Sequence, residues 1–212
     1  MKSLSILILS IASIWFALTS SINPVSSKKN GKQSAAIYGL SINVSSELTT
    51  EGSIGAVSWS SSITEEQIER MRKFAESACS EKLDADVRCV YKYNKKGKKL
   101  ATLGNGNIAG MPTNSFKNAV ESNDDDLFIS IQMHMTNDGK PLKVGKKKST
   151  IQPKASGFIR IFDREKTLIK KGKWSQSLLE GIVSLEDKDD VLTPNDIETI
   201  YKYMIENMIK DM

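Results

Sequence analysis

His134 is the only histidine in the chain, so proton transfer by an imidazole near neutral pH has a single candidate. It lies in Leu127–Thr136, LFISIQMHMT, where Leu127, Ile129, Ile131, Met133 and Met135 alternate with Phe128, Ser130, Gln132, His134 and Thr136. This two-residue period marks a strand with one face in a core and the other polar. As a general base, His134 would need a nucleophile on a neighbouring strand. No G-x-S-x-G elbow is present to supply one. The residue types therefore assign no catalytic group and lean away from an enzyme. A secreted hydrolase using His134 is the catalytic alternative.

Cys79 and Cys89 are the only cysteines. Two thiols and one histidine are too few for a structural zinc site, which takes four ligands. In an exported chain an even pair at short spacing predicts one disulfide, worth about 2–3 kcal/mol for so short a loop. Gly104–Gly110, GNGNIAG, could bring backbone N–H groups to an anion. It departs from G-x-G-x-x-G and lacks Gly-Lys-Ser/Thr, so it reads as a surface loop. The aspartate runs at 124–126 and 187–190 do not have calcium-loop spacing. No metal and no cofactor is implied.

Basic residues cluster at Lys95, Lys96, Lys98 and Lys99, at Lys146, Lys147 and Lys148, and at Lys170, Lys171 and Lys173. Turn and edge lysines commonly keep a sheet soluble and unpaired. Of these, Lys146, Lys147 and Lys148 are candidate anion-binding residues, because a basic loop attracts polyanions in a salt-sensitive way. The formal charge of +5 is too mild to imply specific nucleic-acid binding.

The start of the chain fixes the expected compartment. Lys2, the apolar run Leu4–Leu18 and the small residues Thr19, Ser20 and Ser21 follow the order of a secretory signal peptide. The run is short for a spanning helix, which needs about 20 apolar residues. A membrane enters only if that segment stays uncleaved. The expected organisation is a signal peptide over 1–21, a flexible tether over 22–35 and one α+β domain over 36–212. The expected location is secreted or periplasmic.

Within that domain, Tyr38, Leu40, Ile42 and Val44 alternate as a first strand, and Ile54–Trp59 reads as a second. Thr64 with Gln67 marks a capping box for a helix to Leu83. Val87–Tyr93 follows as a strand, then a hairpin turn at Lys95–Lys99. Further expected helices are Ser115–Ser122, Ser175–Leu185 and the clearly periodic segment after Thr193-Pro194. Gly157–Asp163 and Thr167–Trp174 predict a hairpin. The sum is a two-layer α+β sandwich with a mixed or antiparallel sheet of five to six strands and three to four helices mainly on one face. This element order resembles the small periplasmic domains of the TolB amino-terminal and curli-secretion assembly type, with Ile159–Trp174 standing for their meander. The resemblance is one of order alone and implies no site residue.

By parity, the outer face of such a sheet carries Arg88, Lys92, Phe128, His134, Phe158, Arg160 and Phe162. Aromatic residues mixed with arginine are the composition of a contact surface. The sequence thus predicts an exported, non-enzymatic protein that binds an envelope protein or a polyanion through this face and its basic loops. A small-ligand carrier with a site between sheet and helices is a further alternative.

Overall fold

The structure, a computed structural model, describes residues 31–45, 48, 63–97, 99–100, 108–137, 142–144, 148–150, 153–177, 179, 182 and 192–212. The expected signal segment, the strand Ile54–Trp59, the glycine run before Ile108 and the acidic run 187–190 lie outside the described residues, as do Lys146 and Lys147. The elements are β1 (Gln33–Val44), α1 (Glu65–Leu83), β2 (Ala85–Cys89), α2 (Phe116–Ser122), β3 (Leu127–Asn137), β4 (Leu142–Val144), β5 (Lys148–Thr150), β6 (Pro153–Phe162), β7 (Leu168–Ser177) and α3 (Pro194–Lys210).

Five strands form one sheet in the order β2-β1-β3-β6-β7, and β4 and β5 form a separate two-stranded ribbon. β1 runs parallel to β2 and β3, while β3–β6 and β6–β7 are antiparallel. The sheet is therefore mixed, and the molecule is an α+β sandwich. β3, the strand with the clearest alternation, lies at its centre.

Local chemistry sets the helix starts. Thr64 Oγ1 accepts from the Gln67 N–H at 3.2 Å, and Gln67 Oε1 accepts from the Thr64 N–H at 3.1 Å. Thr193 and Asp196 repeat the arrangement at α3, with Pro194 as the first helical residue. Such an N-cap contributes about 1 kcal/mol. Asp84 ends α1 in the left-handed region at φ 48°, and β2 begins at the next residue.

The two long helices cover one face of the sheet. Met71, Ala75 and Cys79 of α1, and Ile197, Ile200, Tyr201, Met204, Ile205 and Met208 of α3, bury the apolar side of β3 and Ile159 and Ile161 of β6. The Tyr201 hydroxyl donates to the Met71 carbonyl at 2.9 Å, which ties the helices together. The short α2 packs on the opposite face, where Ala119 meets Ala36, Val90 and Phe128 in a second, smaller core.

Three local expectations are corrected. Tyr38 does not share a face with Leu40, Ile42 and Val44. The register against β3 shifts between Ile37 and Gly39, so Tyr38 joins the α2 core while Leu40 turns to the main one. Ser175–Ser177 continue β7 rather than opening a helix. Lys148, read as part of a basic loop, is paired in a ribbon opposite Val144. In addition, β1 begins at Gln33, inside the stretch read as a tether, because the Ser34 N–H donates to Asp126 at 3.0 Å and Ala35 is fully buried.

Candidate functional site

The face of the sheet away from α1 and α3 divides in two. At one end it is roofed by α2. Phe116 meets Tyr38, Phe128 and Phe162 edge-on, with ring centroids 5.7, 5.6 and 5.8 Å apart. Phe128 is fully buried there, so it is withdrawn from any surface, a correction to its place among the contact residues. Phe162 is half-buried in the same aromatic cluster. Arg88 stands at this end too, donating to Asp125 at 2.9 Å, and the Asp125 side chain is only 4% exposed. Arg164 donates to the carbonyls of Val120, Asn123 and Asp125, closing the end of α2. These residues hold the fold. Lys92 lies past β2, where its carbonyl accepts from Leu100 at the foot of the Lys95–Lys99 turn.

The other end is open. Register places Ser130 opposite Arg160, Gln132 opposite Phe158 and His134 opposite Ser156. On the next strand Arg160 is opposite Lys171, and Phe158 is opposite Lys173. The Arg160 guanidinium lies 4.1 Å from the centre of the Phe158 ring, a cation–π contact that holds it flat against the sheet. His134, Arg160, Lys171 and Lys173 are all exposed. Burial pushes the Tyr38 hydroxyl above its usual pKa, against the opposing pull of its Ser130 hydrogen bond and of the nearby Arg160 charge.

This arrangement has an electrostatic peculiarity. Like charges directly opposite on adjacent strands are destabilising, and Arg160 and Lys171 form such a pair. Neither has an ion-pair partner among the described residues. None of the residues that β3, β6 and β7 turn to this face is acidic.

Lys171 and Lys173 reach the face through a register shift at Ile161/Phe162. Without it, Gly172 would lie opposite Phe158, and Lys171 opposite Ile159, on the helix side. The shift is fixed from the other face. Only a residue without a Cβ fits beneath α3, where a Cβ on Gly172 would collide with the Met208 carbonyl. Trp174 packs edge-on against Tyr203 beside it, with centroids 5.5 Å apart. The sequence places the β7 lysines on the second strand of a hairpin, where they read as a solubilising cluster. The signal that could have found them is the Lys-Gly-Lys-Trp alternation at 171–174.

His134 gains neighbours the sequence could not assign: Ser156 on β6 and Asn43 on β1 lie beside it in register. These are central strands, whose backbone N–H groups are committed to the ladder. An oxyanion hole needs such donors.

Cys79, within α1, is buried and Cys89, the last residue of β2, is half-buried; both are free thiols, so the expected bridge is not formed in this structure. Burial pushes the Cys79 thiol up to about 12. It pushes Cys89 further, with the Glu76 carboxylate and Cys79 adding to the effect. A groove of about 820 Å³ opens beside the first turns of α1 and the turn at Ala109-Gly110, a different place from the carrier site expected between sheet and helices. Among the described residues, no group of three or more His, Cys, Asp or Glu side chains is gathered to hold a metal. No helix among them is long and apolar enough to cross a membrane.

Fold and site define an α+β protein with a mixed five-stranded sheet and one partly open basic face. No family model matches the chain, and no curated protein matches it. Among solved structures the chain is similar to the PelC dodecamer from Paraburkholderia phytofirmans, at 9% identity and a TM-score of 0.37, over 85% of this chain and 86% of that one. It is also similar to a protein described as a neuraminyllactose-binding hemagglutinin homolog from Helicobacter pylori, at 9% identity and a TM-score of 0.36, over 84% of this chain and 79% of that one.

Proposed function

We propose that this is an exported, non-catalytic binding protein that holds a polyanion along the open face of β6 and β7. The observation that supports it best is that Arg160 and Lys171 stand directly opposed, without an ion-pair partner among the described residues, on a face whose strands contribute no carboxylate. Folding alone disfavours that pair, whereas an anion lying between the two would relieve it. Lys171 and Lys173 repeat at about 6.8 Å along the strand, twice the rise of one residue, a spacing suited to successive charges of an extended chain. Ser130, Gln132 and Ser156 supply hydroxyls and an amide beside them, and Phe158 supplies an apolar ring. The basic loop at Lys146, Lys147 and Lys148 belongs to the proposal only as a secondary attraction.

Fluorescence anisotropy with labelled heparin tests this reading. The double variant Arg160→Glu/Lys171→Glu is expected to lose at least about tenfold in affinity, and wild-type binding to weaken steeply with salt. The control Lys95→Glu/Lys96→Glu should change affinity by less than about twofold. Equal losses in both variants, or none in the first, would remove the face from the account.

Export and a Cys79–Cys89 bridge formed in an oxidising compartment belong to the same proposal. Intact-mass measurement of the chain from its native host, with and without reductant, tests both. A shortened chain lacking two hydrogens supports them, and a full-length reduced chain contradicts them.

One specific observation favours a second reading, a hydrolase: the register that sets His134 between Ser156 and Asn43. Its weakness is the absence of spare N–H donors in the middle of a ladder. Ester hydrolysis by the purified chain that disappears in both His134→Ala and Ser156→Ala would favour it over the binding reading.

A further inference from the structure

Among the described residues, the groove beside α1 is lined by apolar groups and by one cation without an ion-pair partner. Ile63, Ile68, Ala109 and Gly110 supply the apolar lining. Of the three cations on its wall, two are already matched. Arg70 holds Glu198 in a bidentate pair at 3.0 and 2.7 Å. Arg72 is bonded to Glu69 and to the Tyr91 hydroxyl. Lys99 has only neutral partners among the described residues: its Nζ lies 3.4 Å from the centre of the Tyr91 ring and 3.4 Å from the Gly110 carbonyl.

Lys99 stands in a partly desolvated place. Burial and, after it, the Arg72 charge push the lysine below its usual pKa, against the opposing influence of Cys89 and Glu65. Glu65 and Glu66 stand exposed at the rim, in the first turn of α1, where the helix dipole stabilises them. Glu69 is engaged by Arg72 and by Lys73. A ligand carboxylate at Lys99 would complete an ion pair in a partly desolvated place, where charge-assisted hydrogen bonds are strongest. Its hydrocarbon part would cover Ile63 and Ile68, and a pocket of this size lies in the range that holds small molecules.

We infer that this groove binds a small amphipathic carboxylate, with the headgroup on Lys99 and the alkyl part against Ile63 and Ile68. The site is separate from the open sheet face and does not depend on it.

Calorimetric titration of the full-length chain with decanoate, and with decylammonium as the charge-reversed counterpart, tests the inference. Decanoate should bind at least about tenfold more tightly than decylammonium. Lys99→Met should weaken decanoate by about tenfold, and Lys99→Arg should restore most of the loss. The last result separates charge from mere loss of the lysine stem. Arg160→Glu/Lys171→Glu should leave decanoate binding unchanged. No decanoate binding at about millimolar concentration, equal affinity for both amphiphiles, or indifference to Lys99→Met would overturn the inference. A loss seen only in the sheet-face variant would place the carboxylate at Arg160 and overturn it as well.

Discussion

The two faces of β6 and β7 are made by the same residues of backbone and obey opposite rules. On the helix side, Ile159 and Ile161 are fully buried, Gly172 is bare because α3 presses on it, and Trp174 packs on Tyr203. Every one of these choices improves the fold. On the open side, Arg160 and Lys171 face each other without a carboxylate, a choice that weakens it. Where a side-chain pair lowers stability, function is a reason to look for. The covered face should therefore respond to substitution in stability, and the open face in binding.

Variants that break or sharpen this contrast differ in size. Ile131→Ala, in the fully buried centre of β3, should cost about 3–4 kcal/mol by denaturant unfolding, since it removes apolar burial and leaves a cavity. Gly172→Ala should cost about 2–3 kcal/mol, because its Cβ and the Met208 carbonyl cannot occupy the same place.

Glu198→Gln should cost about 1–2 kcal/mol at neutral pH, since Arg70 and Lys202 would lose their anion. The Arg70 hydrogen bond, ahead of that from Lys202, holds the Glu198 carboxyl down at about 2, below its ordinary value of 4.5. A depressed folded-state pKa contributes stability that is complete above the unfolded value. That contribution is lost as pH falls from about 4.5 towards 2. Thermal unfolding across this window should fall more steeply in the wild type than in Glu198→Gln.

The smallest stability effect carries the sharpest contrast. Lys171→Glu should raise stability by about 0.5 kcal/mol, by replacing a like-charge pair with an opposite one, and should at the same time weaken heparin. A variant that loses both stability and binding would mean that the lysine serves the fold.

Much of the fold was legible in periodicity and caps. The alternation of Leu127–Thr136 located the central strand, and the Thr64/Gln67 and Thr193-Pro194 signals located the long helices. Bulges were not legible, because one inserted residue changes the face of everything after it. At Tyr38 the insertion moved an aromatic residue out of the main core. At the β6–β7 shift it moved Lys171 and Lys173 onto the open face. Parity placed His134, Phe158 and Arg160 on the open face. The roof over Phe128 and Phe162 did not follow from it, because α2 is amphipathic whichever side of the sheet it covers. Nor did the row joining Asn43, His134 and Ser156, which depends on strand order.

Amide chemical-shift mapping with a short heparin-derived oligosaccharide tests the central claim most directly. Shifts are expected to concentrate on Ser130–His134, Ser156–Arg160 and Lys171–Ser175, fading as salt rises. Shifts confined to the Lys95–Lys99 turn, or spread evenly over surface lysines, would contradict it.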